Sequence, residues 1–304
     1  MKYKKAYTLL LINAFLWGIS PAIIKFGTAE LSTNAFLYYR FLIVGVFVIA
    51  YLFLSKKLIQ ALKLFKSPKT VITMVLINPA NLYIMYLGLI KTTSSTGSIV
   101  SALTPLIAGL MGWMLLKETI TRSEKLGTFL AFAGIILLIA LQSSTPATVG
   151  LDFEDNALGV LLIVAGSTLY VIGNILFKTI PNKQKFLVST TSFLTNIPFF
   201  GLILLVSEPS NLIPSFPSYR SLLSVGYMAI FGSLIAFTAL QMALEDVEVS
   251  EANVFTYLQP LFGIPAAILF LGESFELIWL LPLGLIAIGI LLNIKEKFYH
   301  ASLS

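Results

Sequence analysis

Apolar residues run along this chain in long continuous blocks, without the strict alternation of half-buried strands. Ten blocks bounded by charge, Pro or Gly lie at about 7–27, 33–54, 70–90, 94–116, 124–142, 157–177, 186–207, 220–243, 250–271 and 276–294. They are numbered below as segments 1 to 10. A helix needs about 20 apolar residues to cross a hydrocarbon core of ~30 Å, and each block approaches that length. In lipid every backbone N–H and C=O must find an internal partner, so continuous runs of this kind read as helices. Segment 1 follows a basic start, Lys2, Lys4 and Lys5, yet it is expected to be a retained span and not a secretory signal. It is too long for a signal core, it contains Trp17, Pro21 and Lys25, and no small-x-small cleavage site follows. Residues 56–66 mix apolar and basic positions, which fits either a short helix on the cytoplasmic headgroups or a basic loop.

The segments repeat. A shift of 155 residues places Ser95 on Ser250, Pro105 on Pro260, Leu116 on Leu271, Glu118 on Glu273 and Gly134 on Gly289. An earlier match, at a shift of 153, places Trp17 on Tyr170 and Lys25 on Lys178. The polar stretch 143–156 separates the copies. The predicted organisation is a first five-helix module at 7–142, an extracytoplasmic linker at 143–156, a second module at 157–294 and a cytoplasmic tail at 295–304. Five is an odd number, so the second module enters the membrane from the opposite face. The fold class expected is an all-α integral membrane protein of ten transmembrane helices in two inverted five-helix repeats (5+5). Inverted repeats are characteristic of transporters, with the substrate site at the repeat interface near the midplane.

Composition narrows the classes. Of 304 residues, 57% are hydrophobic and 11% charged, against roughly 25% charged in soluble domains. A soluble domain of this size cannot hide so much apolar surface. That excludes a water-soluble enzyme, a disordered chain and a disulfide-stapled secreted domain. There is no cysteine and a single histidine, His300, so neither thiolate chemistry nor a multi-histidine metal site or proton relay is expected. The net charge of +6 does not point to nucleic acid, because it lies in short loops. With the N-terminus inside, sixteen of the 20 lysines and arginines fall on the cytoplasmic side. Lys25, Lys91 and Arg220 fall outside, and Arg40 lies within segment 2. Both termini are therefore expected in the cytoplasm, in a multi-pass protein of the cell (inner or plasma) membrane. The loop between segments 8 and 9 carries Glu245, Asp246, Glu248 and Glu251 and no basic residue, a gap in the pattern.

Polar side chains at membrane depth must face protein or a wet cavity, so they are the candidate functional residues. Segment 4 carries Ser94, Ser98, Ser101 and Thr104 on one helical face; segment 9 carries Asn253, Thr256 and Gln259 at the shifted positions, with Tyr257 beside them. Each stripe ends at a proline, Pro105 or Pro260, where a missing backbone donor favours a bend or break. Segment 3 holds Asn78, Pro79, Asn81, Tyr83 and Tyr86; segment 1 aligns Asn13, Trp17 and Ser20; segment 6 aligns Ser167, Tyr170 and Asn174; segment 8 offers Tyr227. Small polar residues also permit close helix packing, and that reading stands beside cavity lining for all of these. Lys25, Arg40, Lys178 and Glu251 are the gating or charge candidates. Arg40, about seven residues into segment 2, either snorkels, pairs with a carboxylate or binds an anionic substrate group. Glu251 at the entrance of segment 9 is the acidic residue nearest a cavity wall and the one place for weak proton coupling. Pro105, Glu118, Pro260 and Glu273 read as structural. No catalytic constellation is present.

Trp17-Gly18, Lys25, Arg40, Pro105 with Glu118, and Pro260 with Gly272-Glu273 give the sequence its family likeness. In this order and duplication it resembles the EamA family of the drug/metabolite transporter superfamily, over about 7–294. The second copy lacks the Trp-Gly pair and an equivalent of Arg40, and the first reads Lys117-Glu118 where the second reads Gly-Glu. The resemblance implies a metabolite transporter or exporter whose cavity is lined by segments 1, 3, 4, 6, 8 and 9, with 5 and 10 peripheral. It also implies amino acids and related metabolites among the cargoes.

The expected function is a secondary transporter or exporter of small polar organic metabolites by alternating access. The alternatives are a multidrug or nucleoside/carboxylate carrier of the same fold, or, further off, an integral-membrane receptor or enzyme. No cofactor is expected, and no phosphate-cradling Gly-x-x-x-x-Gly-Lys-Ser/Thr loop is present. The expected partners are a small-molecule substrate and the lipid bilayer, with no nucleic acid; the chain is a monomer or a homodimer.

Overall fold

The computed structural model describes residues 2–117, 121–142, 153–244, 246–247, 252, 254–274 and 276–301. Among the described residues there is no strand. Among the described residues seven helices are long and apolar enough to cross a membrane: Lys4–Thr28, Thr33–Leu54, Pro68–Ile90, Ser94–Leu115, Glu154–Lys178, Lys183–Ser207 and Tyr219–Ala243. Three shorter apolar helices, Lys125–Leu141, Phe255–Leu271 and Leu277–Leu292, stand where segments 5, 9 and 10 were expected. Large apolar side chains such as Val206 (85% exposed) and Leu269 (80%) point outward, which lipid tolerates and water does not.

Local signals explain several boundaries. The Ser32 hydroxyl caps Thr33–Leu54 by accepting from Ala35 N–H, and Thr93 caps segment 4 through Thr96 N–H. Segment 4 is broken into Ser94–Ser101 and Thr104–Leu116, with Pro105 in the first turn of the second piece. In segment 9 a 3-10 turn, Phe255–Leu258, precedes the helix Gln259–Leu271 with Pro260 in its first turn. Each proline sits where its missing N–H is not required by the new helix. Both pieces end in the same left-handed residue, Lys117 at φ +55° and Gly272 at φ +67°. The lysine departs from glycine in sequence but not in backbone shape. Of the alternatives for 56–66, the chain takes the helix, Leu58–Leu64, with Ala61 and Leu64 buried and Ile59 and Leu62 exposed.

Two cores form. Segments 2, 3, 7 and 8 share one around Phe36, Phe41, Met74, Phe200 and Met228. Segments 4, 5, 6 and 10 share another around Leu103, Leu138, Ile163 and Ile286. Segments 5 and 10 cross at glycines 155 residues apart. A methyl on Gly134 would lie 2.8 Å from the Pro282 carbonyl oxygen, and one on Gly289 2.4 Å from that of Gly127.

Segments 3 and 8 each contain a π-helical turn, Leu76–Ala80 and Ile230–Ile235. The turns occupy matching places in the two copies. Segment 1 packs on segment 8, and segment 6 packs on segment 3. Segments 1 and 9, and 6 and 4, form the second matched pairing, and segments 2 and 7 pack on each other. Each module therefore completes its packing against the other.

Candidate functional site

A π-helical turn shifts the backbone ladder by one residue and leaves carbonyls available for other donors. In segment 8 these acceptors are met from segment 1. Asn13 Nδ2 donates to the Ala236 carbonyl at 2.9 Å and Trp17 Nε1 to that of Gly232 at 3.0 Å. In return Tyr227 Oη donates to the Leu16 carbonyl at 3.2 Å. The indole N–H of Trp17 is thus committed to segment 8. In segment 3 the turn is met from within: Asn81 Nδ2 donates to the carbonyls of Leu76 (2.8 Å) and Asn78 (3.0 Å).

Segments 2 and 7 add a second matched pair of bonds. Asn78 Nδ2 donates to Ser192 Oγ, joining segments 3 and 7. At the equivalent place in the other copy, Arg40 Nε donates to Ser233 Oγ at 3.0 Å, joining segments 2 and 8. Asn78 and Ser233 stand 155 residues apart, and Arg40 and Ser192 stand 152 apart. Arg40 also donates through Nη1 to Tyr86 Oη, and its guanidinium lies 4.9 Å from the Phe41 ring centroid. It is 4% exposed.

Segments 1, 4 and 9 meet at Gly18, Ser98 and Gly263. A methyl on Gly263 would fall 2.7 Å from the Gly18 carbonyl oxygen and 2.1 Å from Ser98 Oγ; one on Gly18 would fall 2.7 Å from the Gln259 carbonyl oxygen. Ser98 and Gln259 are buried here, and Ser98 Oγ has no hydrogen-bond partner. Ser101 is half-buried, its carbonyl accepting from Thr104 Oγ1 at 2.7 Å. The hydroxyl of Thr104 also reaches Ser167 Oγ of segment 6 at 3.4 Å. Asn174 Nδ2 donates to the Tyr170 carbonyl at 2.9 Å. Thr256 and Tyr257 lie half-buried on the 3-10 turn of segment 9. Tyr83 packs edge-on against Phe199 and Phe200. Glu118, Glu251 and Asn253 lie outside the described residues.

One end of the bundle is tied across the modules. Glu273, just past the left-handed turn of segment 9, accepts from Ser94 N–H (2.6 Å), Ser95 N–H (3.0 Å) and Ser95 Oγ (2.7 Å). A carboxylate there fills the orphan donors at the start of a helix and meets the positive end of its dipole. Lys25 Nζ donates to the Thr92 carbonyl and feels the Glu273 charge. Thr92 Oγ1 donates to Asn156 Oδ1, and Lys91 pairs with Asp155 at 2.6 Å. On the same face Ser218 Oγ donates to Glu30, while Ser32, Asn34 and Asn211 donate to Glu208. Partial burial pushes the Glu208 carboxyl up, but these three hydrogen bonds outweigh it and hold the group below the usual carboxylate range. Lys178, the repeat partner of Lys25, is exposed at the end of segment 6.

Sequence reasoning did not single out Ser192, Ser233, Thr92, Asn156 or Gly263. Ser233 was within reach, since the 155-residue shift maps Asn78 onto it. The others are small residues whose role appears only when a partner arrives from the other module.

The EamA-like transporter family model matches residues 4–140 and 157–295, one match per module. An uncharacterized transporter of Archaeoglobus fulgidus is 22% identical over 96% of this chain and 100% of its own length. The uncharacterized inner membrane transporter YedA of Escherichia coli (strain K12) is 23% identical over 93% of this chain and 88% of its own. A Chlamydia trachomatis protein described as an S-adenosylmethionine/S-adenosylhomocysteine transporter is 24% identical over 96% and 90%. A solved crystal structure aligns over 96% of this chain and 95% of its own with a TM-score of 0.64 at 17% identity, a likeness of fold alone. Tandem matches across both modules, apolar helices of membrane length and relatives named as transporters converge on one statement: this chain belongs to the EamA-like transporter family and is a multi-pass membrane transporter.

Proposed function

We propose that this chain is a secondary transporter that carries small polar organic metabolites, amino acids or related compounds, by alternating access between two inverted five-helix modules. In this reading the ten segments all cross the membrane, both termini are cytoplasmic, and the tied face is extracytoplasmic. The route runs between segments 1, 3, 4, 6, 8 and 9. It is wetted by Ser98, Ser101, Tyr170, Asn174, Asn253, Thr256, Tyr257 and Gln259, with the π-helical turns of segments 3 and 8 as its bending points.

The observation that carries the reading is the set of inter-module ties on one face. Glu273, Asn156, Asp155 and Glu208 of the second module hold Ser94, Ser95, Thr92, Lys91, Ser32 and Asn34 of the first. Such a latch suits a state closed on that side. The modules rock when the latch opens, and the broken helices of segments 4 and 9 face the route. Amide, hydroxyl and aromatic groups favour a molecule of amino-acid size over a multiply charged nucleotide. The Chlamydia relative supports an organic metabolite as cargo.

Uptake by proteoliposomes, read across a panel of labelled amino acids and related metabolites, tests this. The expected result is saturable uptake of one or a few members, reduced at least tenfold by Asn253→Ala or Tyr257→Phe. Uptake that both variants leave unchanged would remove these residues from the route.

A further inference from the structure

Arg40 carries a full charge where the fold needs only a hydrogen bond. The matched position on the other side of the repeat supplies the comparison. There Asn78 and Ser192, an amide and a hydroxyl, join segments 3 and 7 without any charge. Arg40 and Ser233 join segments 2 and 8 in the equivalent way. Bolting two helices at a π-helical turn is therefore done in this same molecule by neutral groups, and the cation at Arg40 calls for its own explanation.

The surroundings of Arg40 sharpen the point. Its protein partners are neutral: Ser233 Oγ on Nε, Tyr86 Oη on Nη1 and the face of Phe41. Among the described residues no carboxylate pairs with it. By contrast Lys91, at the tied end of the bundle, has the Asp155 carboxylate beside it. A guanidinium has five N–H donors in a planar fork, of which two are used here. Removing a cation from water without a counter-charge is strongly unfavourable, and intramembrane ionisable groups mark substrate paths for that reason. Arg40 also binds segment 8, one of the segments of the proposed route. Ser233, which it touches, follows Gly232, whose carbonyl accepts from Trp17.

Resting on the transport reading above, we propose that Arg40, framed by Tyr86 and Ser233, is the subsite that receives the carboxylate of the transported molecule. The charge count selects the ligand class. One guanidinium with two neutral hydroxyl groups balances one negative charge, so a monocarboxylate fits and a phosphate dianion does not. The planar fork matches the two oxygens of a carboxylate, which a lysine ammonium does not do. The Tyr86 and Ser233 contacts hold the fork in place before the ligand arrives.

The test uses the full chain purified in detergent, with thermal unfolding read against twenty L-amino acids and the matching amino-acid amides at constant ionic strength and chloride. The expected result is stabilisation by one or more acids and at least thirtyfold weaker apparent affinity for the corresponding amides, as expected for loss of a charge-assisted bidentate contact. Arg40→Gln removes the acid-over-amide preference, whereas Arg40→Lys keeps a reduced one and provides the reading if the glutamine variant does not fold. A purely structural role for Arg40 lowers the unfolding temperature of the ligand-free chain without touching that preference. The assignment is overturned by the absence of any acid-selective shift in the unmodified chain, or by a preference that survives in Arg40→Gln. Counterflow with the same panel separates this outcome from the transport reading. Exchange without acid selectivity rejects the subsite alone, and acid-selective binding without exchange rejects transport alone.

Discussion

Replacing Glu273 with alanine removes the group that closes one face of the bundle. The carboxylate accepts two backbone N–H bonds and one hydroxyl bond from Ser94 and Ser95 at 2.6–3.0 Å, and it is half-buried. Hydrogen bonds to charged groups contribute about 1.5–3 kcal/mol each, and losing a helix cap costs about 0.5–2 kcal/mol. These terms overlap, and water replaces part of what is lost, so the closed arrangement is weakened by about 2–4 kcal/mol, a shift of roughly 30- to 1,000-fold in the closed-to-open ratio. The chain has no cysteine, so one introduced thiol reports alone. Ser101 ends the helix that begins at Ser94, about 10 Å below the latch at 1.5 Å per residue. Labelling of Ser101→Cys by a membrane-impermeant maleimide added on the latch side is expected to accelerate at least tenfold in the Glu273→Ala background. Glu273→Gln, which keeps one acceptor oxygen, gives an intermediate rate. An unchanged rate in a variant that still folds refutes the latch.

Three further outcomes follow from the packing and charges. Gly263→Ala pushes a methyl against Ser98 Oγ and the Gly18 carbonyl; overpacking of this kind costs about 1–3 kcal/mol, so the melting temperature falls, and an unchanged melt contradicts the crossing. Lys117→Gly relieves a side chain held at φ +55° and is expected to stabilise the chain by about 1 kcal/mol, read as a higher melting temperature. Glu208 has its carboxyl held low by Ser32, Asn34 and Asn211, so its stabilisation is present above the ordinary glutamate range and disappears as pH falls through the depressed value. Because the site is partly open to solvent the effect is about 1 kcal/mol or less. Thermal melts between pH 3 and 7 should flatten on the acid side in Glu208→Gln, and parallel profiles for the two proteins count against the network.

The sequence made the helices legible because lipid leaves few choices. Segment 2 was expected at 33–54 and is found at Thr33–Leu54, where Ser32 caps one end and Lys56 and Lys57 mark the other. The breaks in segments 4 and 9 were readable at Pro105 and Pro260, since proline removes a donor wherever it sits. The π-helical turns were half-legible. In segment 3 Asn78-Pro79 signals an interrupted ladder, whereas Ile230–Ile235 has no proline and is recognised only through the repeat. The site was harder to read. Nothing local in Trp17 or Asn13 says that their donors are spent on carbonyls more than 200 residues away. The small residues Gly263, Thr92 and Ser192 acquire meaning only from a partner in the other module, and a linear pattern does not encode that distance.

The central claim, that the two modules carry a solute between them, is tested most directly by counterflow. Proteoliposomes containing the full chain and preloaded with an unlabelled substrate are diluted into buffer with a trace of the same labelled compound, with no ATP and no ion gradient. The account predicts a transient accumulation of label above the external concentration, followed by decay as the preload escapes. A signal that never exceeds equilibration for any compound the protein binds would contradict alternating access and leave a binding protein or a channel in its place.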